Sequence, residues 1–286
     1  MRPSFTIPLV ALSGALVFLT TSALAQRRNS DIENIGIRDI NKGDAHRTPS
    51  DVDAEIAMGR ATSRELEQRV TLLQDSTVIE YVNRVGQNIV RNSDAKMPFA
   101  IRVVDSGDIG AIGLPGGFLY VSKGLLLAAD NEAELAGVMA HEIAHVAARH
   151  AVEQQQKTLL INVAAVPTTV WGGGIPDMVL QQASQIGVPL TFLAFARAAE
   201  TQADWLGLQY MYKAGYDPDA RVTFFEKLQA REPAKKVSDR FATHPPTADR
   251  IKETQKNIAT FLPARAQGLI TSAEFRDIKA RLMNRN

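Results

Sequence analysis

At 286 residues, 45% of them hydrophobic, the chain is long enough for one globular domain with a substantial core. With 32 Lys and Arg against 31 Asp and Glu it carries no basic excess, which argues against a nucleic-acid partner. It has no cysteine, which excludes disulfides and thiolate metal sites.

Arg2 makes the first residues positive, Leu9 to Leu19 is an apolar run, and Ala23, Leu24 and Ala25 supply a small-residue cleavage pattern. Residues 1–25 therefore read as a secretory signal peptide cut after Ala25. A membrane anchor is the competing reading, disfavoured because the run is shorter than the ~20 residues a spanning helix needs. In a bacterium, export places the mature chain in the periplasm or beyond. Residues 26–50 are polar and are expected to form a flexible or loosely docked arm.

From Asp51 to Arg91 the apolar positions Ile56, Val70, Leu73, Val78, Tyr81, Val82 and Val85 predict helices. Phe99 to Val104 predicts a strand. Leu114 to Val121 reads as a turn at Pro115, Gly116 and Gly117 feeding a second strand from Phe118, with the first strand as its partner.

Asn131, with Glu134 three residues on, resembles a capping box, and Leu135, Val138, Met139, Ile143 and Val146 give the helix behind it a broad apolar surface. On that helix lies HEIAHVAARH. Positions four apart share one helix face, roughly 5–6 Å apart at Cβ, so His141 and His145 can close on one metal ion. Glu142 sits on the rim of that face, where it can act as general base on a water whose pKa the metal lowers to about 7. His150, nine residues after His141 at about 100° per residue, points away and reads as a surface or helix-end histidine, not a ligand. The plainer alternative for His141 and His145 is a pair of satisfied core histidines.

The stretch from Ala151 to Ala194 has an apolar run from Leu159 to Val170, interrupted by Pro167, and then WGGGIPDM. It is too short to span a bilayer. Core helices joined by a Gly-rich loop are favoured. A flap at Trp171 to Gly174, covering the cleft or touching membrane or unfolded substrate, is the alternative.

A catalytic zinc takes three protein ligands and leaves one position open. Without cysteine the third must be a carboxylate or histidine, and FARAAETQADWLG offers Glu200 as ligand. Asp204, four residues on, could accept the ring N–H of a ligand histidine. A solvated face with Arg197 pairing Glu200 is the alternative. In THPPTADR three roles are open to His244: donor to the tetrahedral oxyanion, occupant of the open metal position that holds the enzyme latent, or structural anchor. Arg250 could contact an oxyanion or substrate carboxylate, with a structural salt bridge the favoured alternative. Thr271 with Glu274 predicts a last helix striped by Phe275, Ile278 and Leu282, docking on the body or on a partner.

LPGG, HExxH, a downstream ExxxD helix and HPPTADRI, in that order between Asp51 and Ile251, resemble the HtpX and CAAX-prenyl-protease type of gluzincin metallopeptidase, and most closely its soluble periplasmic branch without an appended repeat module. Many members carry an asparagine shortly before LPGG. Gly110 stands in that region here, so a substrate-positioning role for such a side chain is not carried over. The resemblance implies an α+β, zincin-like fold, mostly helical with a small antiparallel sheet beside the active-site helix. It implies a peptidase domain over 51–262, with N-terminal helices beneath the active site, and a helical tail over 263–286. It places His244 near the cleft, and the Phe118 strand beside it, where a free edge could take an extended peptide; an ordinary hairpin is the equal alternative.

The expected function is that of an envelope endopeptidase with one Zn2+ per chain, cutting misfolded or misassembled proteins, with peripheral membrane contact open. Two rivals remain. One is a chaperone-like envelope assembly factor with a zinc-stabilised fold and little or no proteolysis, against which the intact Glu142 argues. The other, weaker, is a non-peptidase metal hydrolase.

Overall fold

The computed structural model describes residues 31–41, 49–155, 197–231, 248–264 and 268–284. Residues 1–25, the Trp171 to Gly174 segment and His244 lie outside them. Among the described residues no helix is long and apolar enough to cross a membrane.

Two helices, α1 (Pro49–Glu67) and α2 (Ser76–Arg91), come first. Asp75 caps α2 by accepting from the backbone N–H of Val78, and the helix buries Val78, Tyr81, Val82, Val85 and Ile89 along one face. Three short strands follow: β1 (Ala100–Val104), β2 (Ala111–Leu114) and β3 (Phe118–Ser122). The sheet runs β1-β3-β2, with β1 parallel and β2 antiparallel to β3. It is thus mixed rather than the antiparallel sheet expected. The 3-10 turn at Pro115–Gly117 closes a β2–β3 hairpin, and β1 joins the other side of β3 in the opposite sense. Gly116 holds φ 72°, and a Cβ there would lie 2.6 Å from the Cα of Ile56 in α1, so this turn needs glycine.

Ser122 caps α3 (Lys123–Ala128), and α4 (Glu132–Ala147) begins at Asn131, whose side chain accepts from Glu134 N at 2.9 Å. The reciprocal bond of the capping box shifts by one residue: Glu134 Oε2 accepts from Asp130 N at 2.8 Å. Helix α4 is buried on nearly every side, against α2, the sheet, α5 (Arg197–Lys213) and α6 (Asp219–Arg231). Helices α7 (Ala248–Phe261) and α8 (Ala273–Met283) complete the body. Ser272, not Thr271, caps α8, its Oγ accepting from Phe275 N at 3.1 Å. Phe275, Ile278 and Leu282 are buried, and Arg281 reaches Asp75 at 2.7 Å, so the tail docks on the body.

Residues 31–41 are packed rather than loosely docked. Ile32 and Ile35 enter the main core. Asp94, buried, accepts from Gly36 N at 2.8 Å, from Arg38 Nε at 2.8 Å and from the Tyr210 hydroxyl at 2.9 Å. Asn41 donates to the carbonyl of Ala147 at 2.9 Å, at the C-terminal end of α4. Of its four isoleucines Ile32 and Ile35 are buried, Ile40 packs against the core and Ile37 is exposed, a spacing too short and too interrupted by polar residues to register as a helix or strand period.

Candidate metal centre and catalytic site

The second half of α4 presents His141 and His145 on one face, and the first turn of α5 brings Glu200 across from them. The two Nε2 atoms are 3.0 Å apart; Glu200 lies 3.6 Å from His141 Nε2 through Oε2 and 3.4 Å from His145 Nε2 through Oε1. One donor atom from each residue lies within 4.8 Å of the others. Two imidazole lone pairs facing each other in a buried site repel unless a proton or cation lies between them. Zinc bonds of about 2.0–2.2 Å in a tetrahedron separate neighbouring donors by roughly 3.3–3.5 Å, so the set fits that ion.

The surroundings of His141 fix its tautomer. Its Nδ1 is 3.0 Å from Asp204 Oδ1 and 2.8 Å from Nη2 of Arg221. An ionised carboxylate only accepts, so Nδ1 gives its proton to Asp204 and leaves the Nε2 lone pair facing His145 and Glu200; Arg221 Nη2, which only donates, is then held beside Nδ1 by Asp204 rather than bonded to it. Arg221 Nη2 also contacts Asp204 Oδ1, and its Nη1 donates to the carbonyl of Gly137 at 2.8 Å, tying α6 to α4. Arg250 grips the same carboxylate, Nε to Oδ2 at 2.8 Å and Nη2 to Oδ1 at 2.7 Å, and places Nη1 3.3 Å from Glu200 Oε2. Both guanidiniums lie over the Phe225 ring, at 4.7 and 5.0 Å. Burial pushes the Asp204 carboxyl up, but Arg221, Arg250 and His141 overcome it and hold it well below the usual carboxylate range. Burial lowers the Arg221 guanidinium.

Arg250 therefore meets the two carboxylates of the site, the geometry of a salt bridge. Arg221 was missed by sequence reasoning. It stands 80 positions from His141, within the unremarkable string PDARVTFF, and no local signal marks it.

Glu142 is 3% exposed, and its Oε2 accepts from the backbone N–H of Gly113 at 2.9 Å. A Cβ at Gly113 would come within 2.8 Å of the Glu142 carbonyl oxygen and 3.0 Å of Val146 Cγ2, so β2 lies directly on α4. The sheet order makes β2 an edge strand and β3 the central one. The edge beside Glu142 is thus Ala111–Leu114, not the Phe118 strand. Gly110, just before it, donates its N–H to Ser122 Oγ at 3.2 Å, and its carbonyl accepts from Ser122 N at 3.1 Å.

His150 is not on the surface. Helix α4 ends at Ala147, and Arg149 takes a left-handed φ of 58°, which turns the chain back. Extrapolating 100° per residue past that point therefore fails. Arg149 is held in this sparsely populated conformation by Glu55 of α1, Nε to Oε2 at 2.7 Å. His150 is buried, and burial lowers its pKa below the ordinary value, favouring the neutral ring.

Two histidines one turn apart on a helix, a carboxylate from a second helix, and a glutamate between the histidines and an edge strand make up a candidate metallopeptidase centre. The model of Peptidase family M48 matches residues 77–258, and the chain belongs to this family. It is 30% identical to the beta-barrel assembly-enhancing protease of Escherichia coli (strain K12) over 249 residues, 81% of this chain and 49% of that protein. It is 32% identical to the mitochondrial metalloendopeptidase OMA1 of Schizosaccharomyces pombe over 181 residues, 62% of this chain and 52% of that one. To the metalloprotease LoiP of Escherichia coli it is 26% identical over 211 residues, 72% of this chain and 82% of the relative. The chain spans about half the length of the first two of these relatives.

Proposed function

We propose that the chain is a zinc-dependent endopeptidase of the bacterial periplasm, cutting misfolded or misassembled envelope proteins. The observation that carries this reading is the convergence of His141, His145 and Glu200 beside Glu142 and the edge of β2. The names of the relatives, a beta-barrel assembly-enhancing protease and a metalloprotease, support proteolysis and the envelope-protein substrate class.

His141 and His145 would hold zinc through Nε2, and Glu200 through its carboxylate. Bound there, the ion supplies polarisation of the scissile carbonyl and acidification of an attacking water. Glu142 takes the proton of that water and returns it to the leaving amine. The Gly113 N–H fixes one of its oxygens, so the carboxylate cannot rotate freely away from its task. Asp204 keeps His141 in the tautomer that binds a cation, and Arg221 and Arg250 keep Asp204 ionised. An extended peptide would add to the outer edge of β2, pairing by backbone with little demand on sequence.

Hydrolysis of casein by the zinc-loaded chain, with metal content determined, tests this reading. Glu142→Gln should retain zinc and lose cleavage. A zinc-loaded wild type that cuts nothing, even as His244→Ala, would instead favour a binding factor. Within the same assay, a rise in His244→Ala assigns His244 the latent-ligand role, and unchanged or lower activity excludes it.

A further inference from the structure

For His145 to offer Nε2 to a cation, its ring proton must sit on Nδ1, and that atom lies 2.9 Å from Nδ1 of His150. The two rings meet edge to face, with centroids 4.8 Å apart. His150 Nε2 in turn lies 3.1 Å from Oε1 of Gln202, on the same helix as Glu200 and Asp204. An amide oxygen only accepts, so His150 carries its proton on Nε2 and presents a lone pair at Nδ1. That lone pair accepts the Nδ1–H of His145. If the Gln202 amide were turned over, every step would reverse. Its NH2 would donate to His150 Nε2, His150 Nδ1–H would donate to His145, and the His145 proton would be left on Nε2, where it blocks a cation. Only one sense of the relay is compatible with a ligand at His145.

We propose that His150, backed by Gln202, is a positioning residue for the metal centre, holding His145 in its metal-binding tautomer and ring orientation as a neutral acceptor. The inference rests on the reading that His141, His145 and Glu200 hold zinc. It gives the two ligand histidines different supports. His141 leans on an anionic carboxylate, and His145 leans on a neutral imidazole that adds no further charge to the site. The fold builds the second support deliberately in the backbone: the left-handed Arg149, anchored by Glu55, brings a residue from beyond the helix end back against its last turns.

The test is zinc titration of the metal-free chain against a competing chelator, together with proton–nitrogen NMR of the His145 Nδ1–H in the zinc-loaded chain. The expected result for His150→Leu is about 10–100-fold weaker zinc binding, loss of the hydrogen-bonded shift of the His145 Nδ1–H, and an unchanged metal-free melting temperature. His150→Gln, whose amide oxygen can accept the same proton, should recover most of the affinity. Gln202→Leu should weaken binding by a few-fold, and because Gln202 lies at the exposed rim it keeps the test open if His150→Leu does not fold. Wild-type affinity in His150→Leu, or in Gln202→Leu where only that variant folds, overturns the inference. So does His150→Gln binding as weakly as His150→Leu. A wild-type chain that binds no zinc removes the metal-centre reading itself, which is a different failure.

Discussion

The two walls of the site are built by opposite means. Behind His141 stands a wall of charge: Asp204 between Arg221 and Arg250, all largely withdrawn from water. Beside Glu142 stands a wall of backbone, where β2 comes so close to α4 that Gly113 has no room for a Cβ and offers its N–H instead. On the proposed function, the charged wall would set the protonation of a metal ligand. The backbone wall would set the position of a base and of the edge a peptide joins. A defect in the first should therefore appear in metal affinity and stability, and a defect in the second in turnover.

The largest effect is expected where the backbone wall meets the chemistry. Glu142→Gln keeps the shape of the side chain and loses the base, and general-base removal typically costs about 10²–10⁴-fold in rate. Turnover on casein should fall by that factor with zinc stoichiometry unchanged. A comparable loss of zinc would show that Glu142 acts through the metal instead.

Asp204→Asn attacks the other wall. It leaves the buried Arg221 without its countercharge, so stability should drop by about 3–5 kcal/mol in denaturant unfolding. Zinc affinity should weaken about 10–100-fold, because the His141 N–H loses an anionic acceptor. Activity measured at saturating zinc should recover toward wild type, which separates this wall from the first.

What the sequence made legible follows the range of the interactions involved. The α4 helix was readable because its cap at Asn131 and its apolar surface are local, and the pairing of His141 with His145 needs only helical periodicity. The third donor at Glu200 and the acceptor at Asp204 could be named because they too lie four apart on one helix. Beyond helical range the reading weakened. Strand β2 is four residues long, buried throughout and without alternation, so it left no period to detect. The antiparallel sheet was expected from the family resemblance, and the two strands and turn visible in the sequence did not reveal that a third strand occupies the hairpin position. His150 was misplaced because a left-handed φ at Arg149, an arginine rather than a glycine or asparagine, interrupts the helical phase without announcing it. Arg221 comes from a helix whose own pattern has no reason to advertise a buried cation.

Gly113→Ala tests the backbone wall with a single methyl group. The new Cβ would meet the Glu142 carbonyl at 2.8 Å, so β2 must shift outward, at a cost of about 1–3 kcal/mol. The shift lengthens the bond that holds Glu142 and moves the peptide edge, and kcat should fall by about 10-fold or more. Zinc affinity should stay as in wild type, since the atoms that the new Cβ meets belong to Glu142 and Val146, not to a candidate ligand. A loss of zinc with turnover per bound ion preserved would mean the two walls are mechanically one.

The smallest effect on activity is expected in the segment that docks against α5 and the C-terminal end of α4. Arg38 bridges Asp31 and the buried Asp94, which also holds Gly36 and Tyr210. Arg38→Ala removes one of three supports from a carboxylate that cannot reach water, and the remaining two keep it partly satisfied, so the loss should be about 2 kcal/mol. For a domain of this size that corresponds to a melting temperature lower by roughly 4–8 °C. Both kcat and zinc affinity should be unchanged, because the segment meets α4 at the Ala147 carbonyl and α5 at Gln209 and Lys213, past the turns that carry the candidate ligands. If zinc affinity falls together with the melting temperature, the end of α4 is tensioned by this segment, and the charged wall would extend to Asp94 and Tyr210.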